Sequence, residues 1–200
     1  MPLQNRVTPF GTIVALPGRG TMLGNRGIVH DQGGRIVRPW QTRRWICCAL
    51  EFKGRHRQVM EPDRWTHLFF LDEATAFAAG HRPCAECRRD DYVRFRALWE
   101  SLYGVVKGVD EIDRVLHGAR LEGKMKRTYR AASAAMPDGT FVVLEGEAWM
   151  LRGDRAFRWS DAGYTDGRER PNEEVDVLTP RPFVELFHAG YEPAVSPTVR

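Results

Sequence analysis

Short apolar runs broken by glycine mark the first third of the chain. Residues 12–16 form one such run, ended by Pro17-Gly18-Arg19-Gly20, and residues 35–38 and 45–52 form others among Gly24, Gly27, Gly33 and Gly34. Brief strands bounded by turn residues are what this pattern predicts. Residues 68–71 predict one more strand, leading into residues 72–80. An acidic start, alanines inside and a closing glycine make that segment a short helix. Tyr92, Phe95, Leu98, Trp99 and Leu102 then recur at three- and four-residue spacing. They predict a longer helix capped by Asp90, stopped at Gly104, with its aromatic stripe in the core. Ile112, Val115 and Leu116 suggest a further helix over 109–118.

After this point the pattern changes. Segments 127–135, 140–144, 147–151 and 155–159 alternate with the turns Pro137-Asp138-Gly139, Glu145-Gly146 and Gly153-Asp154, as an antiparallel meander would. A strand near 174–178 and a helix from Thr179-Pro180 to Gly190 follow. The fold class expected is α+β: a β-rich N-terminal part, central helices with a cysteine knuckle, and a C-terminal meander closed by a helix. Residues 1–120 and 121–200 form its two parts, packed on each other.

Composition adds a charge asymmetry. Of 30 basic residues 26 are arginine, and the net charge of +4 divides into +6 over residues 1–100 and −2 over 101–200. Arg35, Arg38, Arg43, Arg44, Lys53, Arg55 and Arg57 face only Glu51. Guanidinium forks suit phosphate, so the six arginines of this segment are candidate phosphate contacts, with nucleic acid as the partner and DNA favoured. Trp40 and Trp45 among them would either stack on bases or anchor the sheet. No apolar stretch is long enough to span a membrane, and the first residues lack a signal-peptide pattern, so a cytoplasmic location is expected.

The four cysteines are Cys47-Cys48 and Cys84-x-x-Cys87. A two-residue spacing lets a tight turn aim both sulfurs at one tetrahedral zinc ion. A redox dithiol would normally open a helix after a strand, whereas this pair follows a glycine-ended helix, and a disulfide is disfavoured in a reducing compartment. Two unrelated buried thiols are the other reading of the pair; spacing and context together favour zinc as the cofactor.

Phe69, Glu73-Ala74, Ala78-Ala79-Gly80 and Arg82-Pro83-Cys84-x-x-Cys87-Arg88 resemble the second half of the zinc site in the metal-binding domain of Ada-type methyl-phosphotriester repair proteins. They are also similar to zinc modules appended to some bacterial nucleases. In that family an upstream Cys-x-x-x-Cys completes the site; here only Cys47-Cys48 stands upstream. Adjacent strand residues point to opposite faces, so both bind one metal only if the backbone bends. The candidate ligands are Cys84 and Cys87, then Cys47 and Cys48, then a histidine among His30, His56, His67 and His81. The resemblance also implies an alternative activity, sacrificial alkyl transfer to Cys47 or Cys48. A nuclease using His30 and Asp31 is a second alternative, and a non-catalytic protein-interaction module a third.

Overall fold

A computed structural model of the chain describes residues 1–54 and 58–198. Strands β1 (Gln4–Val7), β2 (Ile13–Ala15), β3 (Met22–Asn25), β4 (Ile46–Ala49) and β5 (Leu68–Phe70) lead to helix α1 (Glu73–Ala78) and the two-residue strand β6 (Arg82–Pro83). Helices α2 (Arg89–Tyr103) and α3 (Val109–Arg120) and a small hairpin, β7 (Leu121–Glu122) and β8 (Met125–Lys126), come next. The chain continues as β9 (Tyr129–Ala132), β10 (Phe141–Leu144), β11 (Glu147–Arg152), β12 (Arg155–Ser160), β13 (Gly163–Glu169), β14 (Glu174–Val177) and α4 (Arg181–His188). One six-stranded sheet runs β2-β1-β5-β3-β4-β6 and a second, antiparallel one runs β13-β12-β11-β10-β14-β9. The architecture is α+β.

Three local readings change. Residues 35–38 are not a strand: only an isolated bridge joins His30 to Ile36, and the Asp31 carboxylate accepts from the backbone N–H groups of Gly33 and Arg35, folding the segment into a turn. Segment 127–135 does not pair with its neighbour in sequence. β9 pairs with β14, which itself pairs with β10, so the simple meander covers only β10 to β13. Val175 and Val177 are both buried, which gives β14 the face a central strand needs. Asp90 lies inside the first turn of α2 rather than at its cap, and Leu102 is exposed while Tyr92, Phe95 and Trp99 are buried.

The six-residue helix α1 is the hub of the molecule, with every residue buried. Phe77 packs with Phe95 and Trp99 of α2, Ile112 of α3 and Phe183 of α4. Ala74 and Ala78 meet Phe141, Met150 and Phe157 of the second sheet, while Ala76 and Ala79 meet Val7, Leu68 and Phe70 of the first. A helix buried on all sides must be apolar all round, and alanines let both sheets approach it closely. Two of these clusters draw residues from both sides of position 120.

The helix begins with two buried carboxylates, and every partner expected of a buried charge is supplied. Asp72 accepts from the Thr75 N–H at 2.8 Å, the Tyr164 hydroxyl at 2.8 Å and the Ser196 N–H at 2.9 Å. Glu73 accepts from Arg88 at 2.6 Å, the Tyr191 hydroxyl at 2.9 Å and the Ala194 N–H at 2.9 Å. These contacts bind the 191–196 segment to the centre of the fold.

Candidate metal centre

Three cysteines meet. The sulfurs of Cys48, Cys84 and Cys87 all lie within 4.8 Å of one another. Sulfurs bound to one tetrahedral zinc at ~2.3 Å would sit about 3.8 Å apart, so the cluster is of a size that can hold a metal ion. Its assembly follows from pairing: β6 runs parallel to β4, with Ile46 opposite Arg82 and Cys47 opposite Pro83, and the Cys84 N–H bonds the Cys47 carbonyl at 2.9 Å. That register carries Cys84 to the end of β4 on the side where Cys48 points.

The three thiols are hydrogen-bonded to one another. Hydrogen bonds from Cys48 and Cys87, with backbone N–H groups of Cys87 and Glu86, pull Cys84 well below the usual thiol range, while Cys48 is pushed up. The Ala49 N–H points at Cys87, which the neighbouring Cys84 and burial push up. Backbone donors aimed at sulfur are the setting in which a thiolate ligand is stable.

The two arginines flanking the knuckle hold it in place. Arg82 makes a two-point pair with Asp113 of α3, both contacts at 2.8 Å, with both side chains almost fully buried. Arg88 bridges Glu73 and Asp91 and donates to the Cys47 sulfur at 3.5 Å. One end of Arg82-Pro83-Cys84-x-x-Cys87-Arg88 is thus tied to α3 by a buried two-point fork, and the other to α1 by a buried single contact with Glu73 and to α2 by Asp91.

Cys47 is not part of the cluster. It points to the opposite face of β4, is fully buried among Leu68, Phe70 and Ala76, and burial raises its pKa. β4 stays regular between the two cysteines, so the strand alternation that would have to break for both to reach one ion is kept. His30 bonds Thr66 and the Glu61 carbonyl, and His81 accepts from Arg26 at 3.1 Å; neither stands at the cluster. His67 lines the same cavity as the three cysteines. His56, Arg55 and Arg57 lie outside the described residues.

That cavity, about 540 Å³, opens beside the cluster and is walled by Phe52, Trp65 and Phe69 as well as the three sulfurs. Nothing in the local spacing of these aromatic residues signalled it, because they come from separate elements.

Arg35, Arg38, Arg43 and Arg44 are all exposed on the long connection between β3 and β4. Arg44 is engaged with Asp110 through two contacts, at 2.9 and 3.0 Å, on the open surface. Trp45 is buried with the guanidinium groups of Arg26 and Arg120 at 3.8 and 4.0 Å from its ring, and Trp40 packs edge-on against His117. Trp45 therefore anchors the sheet. Asp31 and His30 do not meet each other; each is held by its own loop partners. No described helix is long and apolar enough to cross a membrane. Comparisons with family models, with curated proteins and with solved structures find no match to this chain.

Proposed function

We propose that the chain is a zinc-binding protein that binds nucleic acid, DNA in particular, with zinc held by Cys48, Cys84 and Cys87. The observation that carries this reading is the convergence of three sulfurs from two distant segments on one point. Bound zinc would neutralise thiolates that otherwise repel one another and would lock β4 to the knuckle. Arg35, Arg38 and Arg43, exposed on one connection, supply phosphate contacts.

Elemental analysis of purified protein tests the metal. About one zinc per chain is expected in wild type and in Cys47→Ser, and almost none in Cys48→Ser or Cys84→Ser. Zinc-free wild type, even when prepared with zinc supplied, would overturn the reading. Nucleic-acid binding is tested by titrating affinity against salt: a linear fall of log affinity with log salt is expected, its slope reduced by about 1 in Arg43→Ala. Failure to bind single- or double-stranded DNA at low salt rejects that half.

The apolar cavity beside the sulfurs favours a second reading, alkyl transfer to a cysteine. In that reaction a thiolate attacks the methyl carbon of a phosphotriester, an S–C bond forms, the C–O bond breaks and the phosphodiester leaves. Bound zinc would hold Cys48 as the thiolate acceptor of the adjacent pair, since Cys48 stands among the sulfurs and Cys47 faces the core. A mass increase of one methylene (about 14 Da) after incubation with methyl-phosphotriester DNA, mapped to Cys48, is the expected result; an unchanged mass rejects it.

A further inference from the structure

On the far side of β4 from the sulfurs lies a cavity of about 640 Å³, a volume within the range of small-molecule sites. Its inner wall is cationic. Arg26 and Arg120 are almost completely buried, and Lys126 joins them from β8. None of the described residues lining the cavity is acidic.

The three cations spend their donors mainly on neutral groups. Arg26 donates to the Gly11 and Pro39 carbonyls and to His81, Arg120 to the Gly80 and Arg43 carbonyls, and Lys126 to the Ala78 carbonyl. Among the described residues, two buried donors have no partner: Nη2 of Arg26 and Nε of Arg120. Asp113, whose charge reaches Arg120, is already held at two points by Arg82. Carbonyls at the end of α1 offset part of the charge, but several like charges in a low-dielectric wall are strongly unfavourable without a counter-charge. Burial and mutual repulsion push Arg120 and Lys126 well below their ordinary ranges.

The mouth of the cavity adds two cations on exposed residues, Arg38 and Lys124, and its other walls are apolar, formed by Phe10, Ile13, Val37 and Met125. The geometry points to a binding site for a phosphate monoester carried on an apolar or aromatic body, with the phosphate against Arg26, Arg120 and Lys126 and the body along the apolar walls. Guanidinium forks and an ammonium match a dianion, which supplies the counter-charge the wall lacks. This site stands apart from the sulfur cluster and does not depend on the zinc or nucleic-acid reading.

Adenosine 5′-monophosphate and phenyl phosphate are the probes, with adenosine as the control, followed by calorimetry and thermal melting of the full chain. One phosphate monoester per chain is expected, with adenosine at least tenfold weaker. Thr12→Glu places a carboxylate at an exposed lining position and should weaken binding tenfold or more without disturbing the fold. Lys126→Met removes one cation of the wall together with its bond to the Ala78 carbonyl; it should weaken the probes and raise the melting temperature of the ligand-free protein. A lower ligand-free melting temperature with unchanged probe affinity would assign Lys126 a purely structural role and overturn the site. So would failure of both probes at millimolar concentration, or affinity unchanged in Thr12→Glu.

A 5′-phosphorylated oligonucleotide separates the sources of the monoester. Competition with the mononucleotide places a strand end in the cavity, and its absence assigns the cavity to a free small molecule. DNA binding by a protein that ignores both probes would sink this site and leave the arginine surface standing.

Discussion

Cys47 and Cys48 are chemically identical neighbours with opposite surroundings, one in the core beside Arg88 and one among the sulfurs. The Cys84-x-x-Cys87 spacing was legible as a knuckle because both residues act within one turn. Choosing between Cys47 and Cys48 required knowing which face of β4 the knuckle reaches, and that is set by the pairing of β4 with β6. Arg82 and Arg88 read as motif members, yet each is committed to a buried carboxylate. Asp113→Asn would leave the Arg82 fork buried with half its partner, and a loss of about 3–5 kcal/mol is expected in denaturant unfolding. His81 gives a pH signature. Burial and the neighbouring Arg26 and Arg120 hold it neutral well below its ordinary pKa, so below about pH 6.5 the unfolded chain takes up a proton that the folded one refuses. Stability should therefore fall as pH drops from about 6.5 towards the lower folded-state value, and fall less steeply in His81→Gln. Asp72, raised by burial, acts in the opposite sense but equally in both proteins. Identical pH dependence of the two would rule out this role for His81.

At the scale of elements, the helix 72–80 was predictable from its acidic start, alanines and terminal glycine. Its position at the centre was not, because alanine signals helix propensity without saying how many surfaces the helix will meet. Gly80, with φ of +93°, ends it in the left-handed region, and a Cβ there would lie 2.5 Å from Cδ of Arg120. Gly80→Ala is expected to cost more than about 1 kcal/mol, from the backbone and from displacement of Arg120 together. A melting temperature equal to wild type would show that the turn is not constrained as described. The insertion of β14 between β9 and β10 escaped the pattern for a related reason: alternation identifies a strand's faces but not its partners. The cationic cavity was equally silent, since Arg26 follows β3, Arg120 ends α3 and Lys126 sits on β8, and only the folded arrangement brings them together.

For the whole molecule, the α+β class and the order of its parts followed from changes in period and punctuation along the chain. The extent of shared core did not. Phe77 packs on Phe183, and Ala74 and Ala78 on Phe141, across the position that divides the two expected parts. A fragment of residues 1–120 is therefore expected to lack a cooperative melt and to expose apolar surface; cooperative unfolding of that fragment would establish an independent N-terminal unit. Asp72 and Glu73 bear on the same question through time. Their partners Tyr191, Ala194 and Ser196 stand 118, 121 and 124 positions downstream. At ~5–20 residues per second, a growing chain would wait roughly 6–25 s between making those carboxylates and making the groups that satisfy them. Early in that interval Cys84 and Cys87 join Cys48, so all three sulfurs of a cluster that can hold a metal ion are present in the nascent chain before the centre of the fold can close.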